Sequence, residues 1–262
     1  PFLAYYHFLP PHFPYNTRTD FYNQFLNDGF TAIEKPESIF STKRAKEADI
    51  DAWRTWYDEF ILYVDAEFAR LYALMEQQGL LDNTWLVFTS DHGELFERGI
   101  SGHLTPVLYE PVVRVPLLIF PPGQISRFDV NTPTSSIDLL PTLAHVTGCE
   151  IPAWAEGEIL PPFNPKFQSE SRDIYALQSK GTKKDEPIQR ATAMLVRENY
   201  KLTRFWGYKE TEDEIIELYD LENDPQELVN LYPKAQDKAN QLLSALHSKL
   251  DEVERKRIES SE

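Results

Sequence analysis

From Lys46 to Gln78 apolar residues return every three or four positions, at Trp53, Trp56, Phe60, Val64, Phe68, Leu71 and Met75. That period places them on one broad stripe and predicts an amphipathic helix whose stripe is core, with Gly79 as its C-cap. Asp82 and Asn83 then make a turn, and Thr84 to Thr89 form a continuous apolar run, TWLVFT. Such a run predicts a buried strand of parallel-sheet character. It ends on a polar cluster, Ser90-Asp91-His92-Gly93-Glu94. A second buried strand is predicted at Val113–Phe120, closed by Pro121-Pro122-Gly123. Ser135–Val146 predicts a helix that Ser135 or Ser136 can cap, with Asp138 in its first turn.

The opening stretch Phe2–Phe8, FLAYYHF, is aromatic and apolar, as a buried strand would be, with His7 a satisfied core residue. Pro10-Pro11-His12-Phe13-Pro14 excludes regular structure, and a loop at a strand's end is where α/β folds place chemistry. Residues 16–44 predict a surface excursion with a short helix, and the proline-rich stretch 149–172 a long connection. Beyond it, short strands are expected near 173–178, 192–197, 200–205 and 216–221, at a spacing that suits antiparallel hairpins. Residues 233–257 predict a charged amphipathic helix with Leu242, Leu243, Leu246 and Leu250 inward. The expected division lies near 150–170. Residues 1–150 would be a mixed or parallel α/β part, and 151–262 a small antiparallel part.

A hydrophobic share of 42% over 262 residues supports a real core. The net charge of −16, from 42 acidic against 26 basic residues, disfavours nucleic acid and anionic lipid as partners. The same field would repel an anionic ester unless a cation reversed it, which argues for a metal in any such site. No apolar run approaches the roughly 20 residues that span a bilayer. The first residues carry no signal-peptide pattern, and the chain reads as starting mid-fold. The single cysteine, Cys149, excludes an intrachain disulfide framework and has no metal-ligand spacing around it.

The candidate chemistry lies in three places. Asp91 and His92 follow a buried strand and precede Gly93, which would permit an unusual dihedral. A carboxylate and an imidazole at a strand end suit one divalent cation, whether Mn, Mg, Ca or Zn. An Asx-turn with an exposed histidine fits the adjacent pair too; strand, polar knot and glycine together favour ligands. His12, held between prolines, suits a donor to an ester oxygen, although a merely solvated loop histidine fits the same residues. His103, in Gly102-His103-Leu104-Thr105, has a titration range suited to protonating a leaving alkoxide, or is a plain loop residue. Glu94 and Glu97 read as solvated or bracing neighbours, and Arg114 as the partner of an acid. His145 and His247 fall on helices and are assigned no role. A phosphate loop, a GxSxG elbow, an HExxH motif and a convincing nucleophile motif are all absent from the sequence.

Taken together, several blocks resemble the sulfatase family of the alkaline phosphatase superfamily, in that family's order: PPHFPY, YVDAEFARLYALMEQQGLLDNTWLVFTSDHGE, LYEPVVRVPLLIF, SSIDLLPTLAHVTG and ELYDLENDPQELVNL. The resemblance implies an alkaline-phosphatase-like α/β sandwich: a partial central sheet flanked by helices, with a small C-terminal antiparallel sheet and terminal helix. It implies hydrolysis of small-molecule sulfate esters at a divalent metal ion, Ca foremost, by a formylglycine made from cysteine or serine. It matches Asp91 and His92 to a pair of metal ligands and His12 to an ester-contacting histidine. The family's lysine before its YE falls at Thr105 here, and His103 is taken as its substitute. The family's Cys-x-Pro-Ser-Arg motif is not in these residues, so the chain is expected to be a C-terminal portion, inactive alone. Its uncovered sheet edge would then favour self-association. Phosphomonoester, phosphodiester or phosphonate hydrolysis on the same scaffold, or a non-catalytic role, are the alternatives.

Overall fold

A computed structural model describes residues 2–35, 47–103, 106–164, 172–179 and 186–259. Contacts group the chain into two compact units: Pro1–Thr105 with Pro111–Ile125, and Pro106–Glu110 with Ser126–Glu262. The change near residue 125 falls earlier than the connection at 150–170, and the helix expected in the first part groups with the C-terminal sheet. Among the described residues no helix is long and apolar enough to cross a membrane.

The first unit is organised by helix α1 (Glu47–Gln77), which ends at Gly79 in the left-handed conformation its sequence position called for. One side of α1 packs: Phe60 joins Tyr15 and Phe96 in a small aromatic core, and Trp53 and Tyr57 lie against it. Farther along, Phe68 packs at a tilt against Phe88 and Tyr72 against Phe120, with ring centroids 4.8 Å and 5.3 Å apart. Trp56 and Leu71, expected in the same stripe, are exposed. The packed face is therefore narrower than the periodicity implied, because the apolar face is wider than the surface it meets in this unit.

Strands β1 (Leu86–Thr89) and β2 (Leu117–Phe120) pair antiparallel, Leu86 opposite Phe120 and Thr89 opposite Leu117. The parallel character expected of the first is corrected, and so is the burial expected of both. β1 is partly buried with Thr89 exposed, and Leu118 of β2 is exposed, so a continuous apolar run fixes neither strand direction nor full burial. The second strand is also shorter than predicted, since Glu110–Val113 turns as a short helix, α2, before β2 begins. Phe2–Phe8 is not a buried strand. It has no regular structure, Phe2 is 88% exposed, and His7 is exposed, its Nδ1 3.1 Å from the Tyr5 hydroxyl. A strand needs neighbours for its backbone groups and a surface for its side chains, and no described residue pairs with this segment. Of the excursion at 16–44, a short 3-10 turn at Thr19–Phe21 is seen, and residues 36–46 lie outside the described ones.

The second unit matches its sequence pattern closely. Strands β3 (Ile174–Ser179), β4 (Ala191–Arg197), β5 (Tyr200–Trp206) and β6 (Ile215–Asp220) form one antiparallel sheet in sequence order. Its apolar face, with Leu195, Leu202 and Leu218, packs on Leu242, Leu243 and Leu246 of helix α4 (Gln236–Glu259). Full burial of such side chains is worth about 2 kcal/mol each. The opposite face is buried but polar. Lys201, fully buried, pairs with Glu227 at 2.8 Å and Glu110 at 2.9 Å, and the Tyr109 hydroxyl donates to Glu217 at 3.2 Å.

Helix α3 (Leu139–Val146) follows a 3-10 turn at Ser136–Asp138. Asp138 does more than favour the helix start. Fully buried, it accepts the backbone N–H groups of Ser135 and Glu158 and both nitrogens of the Arg172 fork.

Candidate metal and ester site

Where β1 ends, the chain is tied down on successive residues. The Thr89 hydroxyl donates to the Pro116 carbonyl at 2.9 Å, and the Ser90 hydroxyl to the His92 carbonyl at 2.7 Å. Gly93 N–H then donates to the Val112 carbonyl at 2.8 Å. Gly93 is required here for a different reason from the one expected. A Cβ on it would stand 2.1 Å from the Pro111 carbonyl oxygen, so close approach of backbone to backbone, rather than an unusual dihedral, demands glycine. Gly93→Ala is expected to lower unfolding free energy by about 2–3 kcal/mol. Chemical denaturation reads this, and an unchanged midpoint would contradict the close approach.

The turn sets the pair. The Asp91 carboxylate accepts the His92 backbone N–H at 3.0 Å, so an Asx-type bond is present. The side chain nevertheless remains 63% exposed. His92 Nδ1 lies 2.9 Å from the Gly93 carbonyl oxygen, which only accepts, so Nδ1 carries the proton and Nε2 keeps its lone pair. That Nε2 is 3.8 Å from Asp91 Oδ1. One cation at about 2.0–2.6 Å from each atom spans that gap. Among the described residues no group of three or more His, Cys, Asp or Glu side chains converges on a metal. The pair thus fits a divalent ion as two of its ligands rather than as a whole shell.

Two further histidines stand beside it. His103 stacks on His92 with ring centroids 4.0 Å apart, and His12 lies 5.2 Å from His103 and 6.5 Å from His92. His12 is exposed and its Nδ1 donates to the Phe13 carbonyl at 2.7 Å, leaving Nε2 outward in chemical terms, as in His92. All four sequence-predicted residues are therefore together. Thr105, at the position of the family's lysine, lies outside the described residues.

What sequence reading missed is the loop that returns His103. Leu95, Phe96 and Ile100 are buried, and Gly102, with φ +89°, donates its N–H to the Leu95 carbonyl at 2.7 Å. The apolar residues of ELFERGI were the available signal. Glu94 is buried rather than solvated: it accepts the Tyr15 hydroxyl at 3.0 Å and His103 Nδ1 at 3.1 Å. Burial, and then the Glu94 charge, raise the Tyr15 phenol well above its ordinary value and push Tyr57 up to about 12. Tyr15 thus stays a donor at neutral pH. Arg114 is exposed, with no acidic partner among the described residues.

Comparison with known proteins agrees with this geometry. The Sulfatase profile matches residues 1–149, and the profile "N-sulphoglucosamine sulphohydrolase, C-terminal" matches residues 105–256. Arylsulfatase K of Bos taurus is 27% identical over 210 residues, 79% of this chain and 38% of its own. Choline-sulfatase of Rhizobium meliloti (strain 1021) is 28% identical over 252 residues, 86% of this chain and 45% of its own. The chain thus spans less than half the length of either. Among solved structures, a phosphonate monoester hydrolase from Silicibacter pomeroyi superposes with TM-score 0.72 at 21% identity, covering 94% of this chain and 54% of that one. The fold is the alkaline-phosphatase-like α/β architecture, with a C-terminal antiparallel sheet and terminal helix. With a profile covering more than half its residues, Asp91, His92, His12 and His103 included, this chain belongs to the sulfatase family.

Proposed function

We propose that this chain supplies part of the active site of a metal-dependent sulfuric ester hydrolase acting on small-molecule sulfate esters. In this reading residues 1–150 are part of the catalytic α/β domain and 151–262 a small antiparallel subdomain. One observation carries it: Asp91 Oδ1 and His92 Nε2 stand 3.8 Å apart, beside two more imidazoles whose Nδ1 atoms are already engaged. Divalent-metal dependence is general in the family, and Ca, the ion the family resemblance implies, is the one we propose, with Asp91 as an oxygen ligand and His92 as a nitrogen ligand. When bound, the ion would polarise the ester's oxygens.

The chain's own residues then have separate tasks. Asp91 and His92 hold the cation with one negative charge and one lone pair. His12, its Nδ1 committed to Phe13, meets the ester through Nε2 and acts as a donor there when that nitrogen is protonated. His103 gives its Nε2 proton to the bridging oxygen as the sulfur–oxygen bond breaks, so that the alcohol leaves neutral. No Cys-x-Pro-Ser-Arg motif occurs in these residues, so no residue of this chain is assigned as the attacking group.

Hydrolysis of a nitrophenyl sulfate by the whole protein carrying this sequence tests the reading, with and without a chelator. Release of nitrophenol and sulfate that the chelator abolishes is the expected result. Turnover of phosphate or phosphonate esters alone would select the second reading, a phosphoryl or phosphonyl ester hydrolase. The fold likeness to a phosphonate monoester hydrolase is compatible with that reading, and the same side chains suit either tetrahedral anion. The 262-residue chain by itself is expected to turn over little, since two ligands are too few for tight metal binding.

A further inference from the structure

A buried carboxylate costs several kcal/mol unless its partners compensate. Glu94 has its side chain only 4% exposed, one step past the metal pair and Gly93. Its hydrogen-bonding partners are the Tyr15 hydroxyl at Oε2 and His103 Nδ1, which lies 3.1 Å from both oxygens. No ladder or cap depends on that carboxylate. The loop that contains it is closed elsewhere, by the Gly102 N–H on the Leu95 carbonyl and by burial of Leu95, Phe96 and Ile100. Tyr15 is wedged among Phe96, Tyr57 and Phe13, with ring centroids 5.5 Å to 5.7 Å away, so it supports the carboxylate from a rigid aromatic core. Gly102, in the left-handed region at φ +89°, lets the next residue turn back onto that carboxylate.

From this geometry we propose that Glu94 is a positioning residue: it accepts the Nδ1 proton of His103, fixes the ring against His92, and so presents Nε2 as the nitrogen that meets the ester's leaving oxygen. The inference deepens the hydrolase reading and rests on it for the leaving-group step. Its physical basis is the one by which second partners orient catalytic and metal-bound imidazoles: the acceptor on one ring nitrogen decides what the other offers. His12 and His92 use backbone carbonyls for that purpose, on Phe13 and Gly93. His103 alone of the three uses a carboxylate, and the ring is the one asked to donate to a leaving group.

Two measurements on the whole protein test the proposal and keep its failure apart from failure of the hydrolase reading. In the first, nitrogen NMR of histidine-labelled protein reads the His103 tautomer without any turnover. Nδ1 protonated is expected, with Nε2 bare in the neutral ring and protonated in the imidazolium that donates to the leaving oxygen; Nε2 protonated with Nδ1 bare overturns the proposal. The second is a leaving-group series of sulfate esters. Glu94→Gln should lower kcat about 10- to 100-fold for poor leaving groups such as alkyl alcohols, and less than about 3-fold for nitrophenol, with KM changed less than about 3-fold. His103→Ala should show the same selectivity, and Glu94→Gln with His103→Ala together should be no slower than His103→Ala alone. An equal loss across leaving groups, or losses in the double variant that multiply, overturns the positioning role. Should Glu94→Gln not fold, Glu94→Asp, which keeps the charge but withdraws it by one methylene, should show the same leaving-group selectivity. If the whole protein hydrolyses no ester, the hydrolase reading falls while the tautomer measurement still decides what Glu94 holds.

Discussion

Asp91→Ala, in the whole protein, is expected to lower kcat/KM for an aryl sulfate by about 10³-fold, a loss of about 4 kcal/mol of transition-state stabilisation. The carboxylate is the sole negative charge of the pair, and His92 alone would hold a divalent ion weakly. The same variant should leave the fold alone. The Asp91 side chain is mostly exposed, and among the described residues its one hydrogen bond is to the His92 backbone N–H. A change in unfolding free energy below about 1 kcal/mol is therefore expected. Steady-state kinetics, metal content by atomic emission and thermal unfolding together separate the two effects. Activity retained with metal content retained would remove Asp91 from the site.

The largest stability effect is expected at Lys201, in the other unit. Its ammonium is fully buried between Glu227, also fully buried, and Glu110, whose backbone N–H donates to Glu227 at 2.8 Å. Lys201→Met keeps the length and apolar stem but leaves the fully buried Glu227 carboxylate, and the partly buried one of Glu110, without their cation. Breaking such a group from one side costs about 3–5 kcal/mol. Replacing Lys201, Glu110 and Glu227 together by Met, Gln and Gln should recover most of that loss, because no uncompensated charge then remains. Denaturant titration of the single and triple variants measures both. A single variant as stable as the parent would mean that the cluster contributes nothing to the fold.

The two units differ in how far their sequences foretold them. In the second, short runs recur at hairpin spacing, and all four strands lie within two residues of expectation at each end. Local pattern suffices there because each antiparallel strand pairs with its neighbour in the chain. The buried polar face of that sheet was not legible: nothing local in the sequence marks Lys201 and Glu217 as buried, and their partners Glu110, Glu227 and Tyr109 come from other parts of the chain. In the first unit, the aromatic richness of FLAYYHF pointed to a buried strand, yet burial is a property of neighbours and none of the described residues covers it.

The site shows the same division. Asp91 and His92 were readable because a strand end, a polar knot and a glycine are all local features, and ordered blocks along the chain carried the family. Their neighbours were not, since these depend on backbone and rings brought from elsewhere: Pro111 against Gly93, His12 near His103, Tyr15 beneath Glu94. The sequence by itself determined which residues are able to bind a cation and move a proton, because those capacities belong to side-chain chemistry. Only the tertiary structure decided that Glu94 is buried against His103 and that Gly93 admits no methyl group. Distance and exclusion of water are set by residues far apart in the chain, and it is these that turn a list of polar side chains into a site.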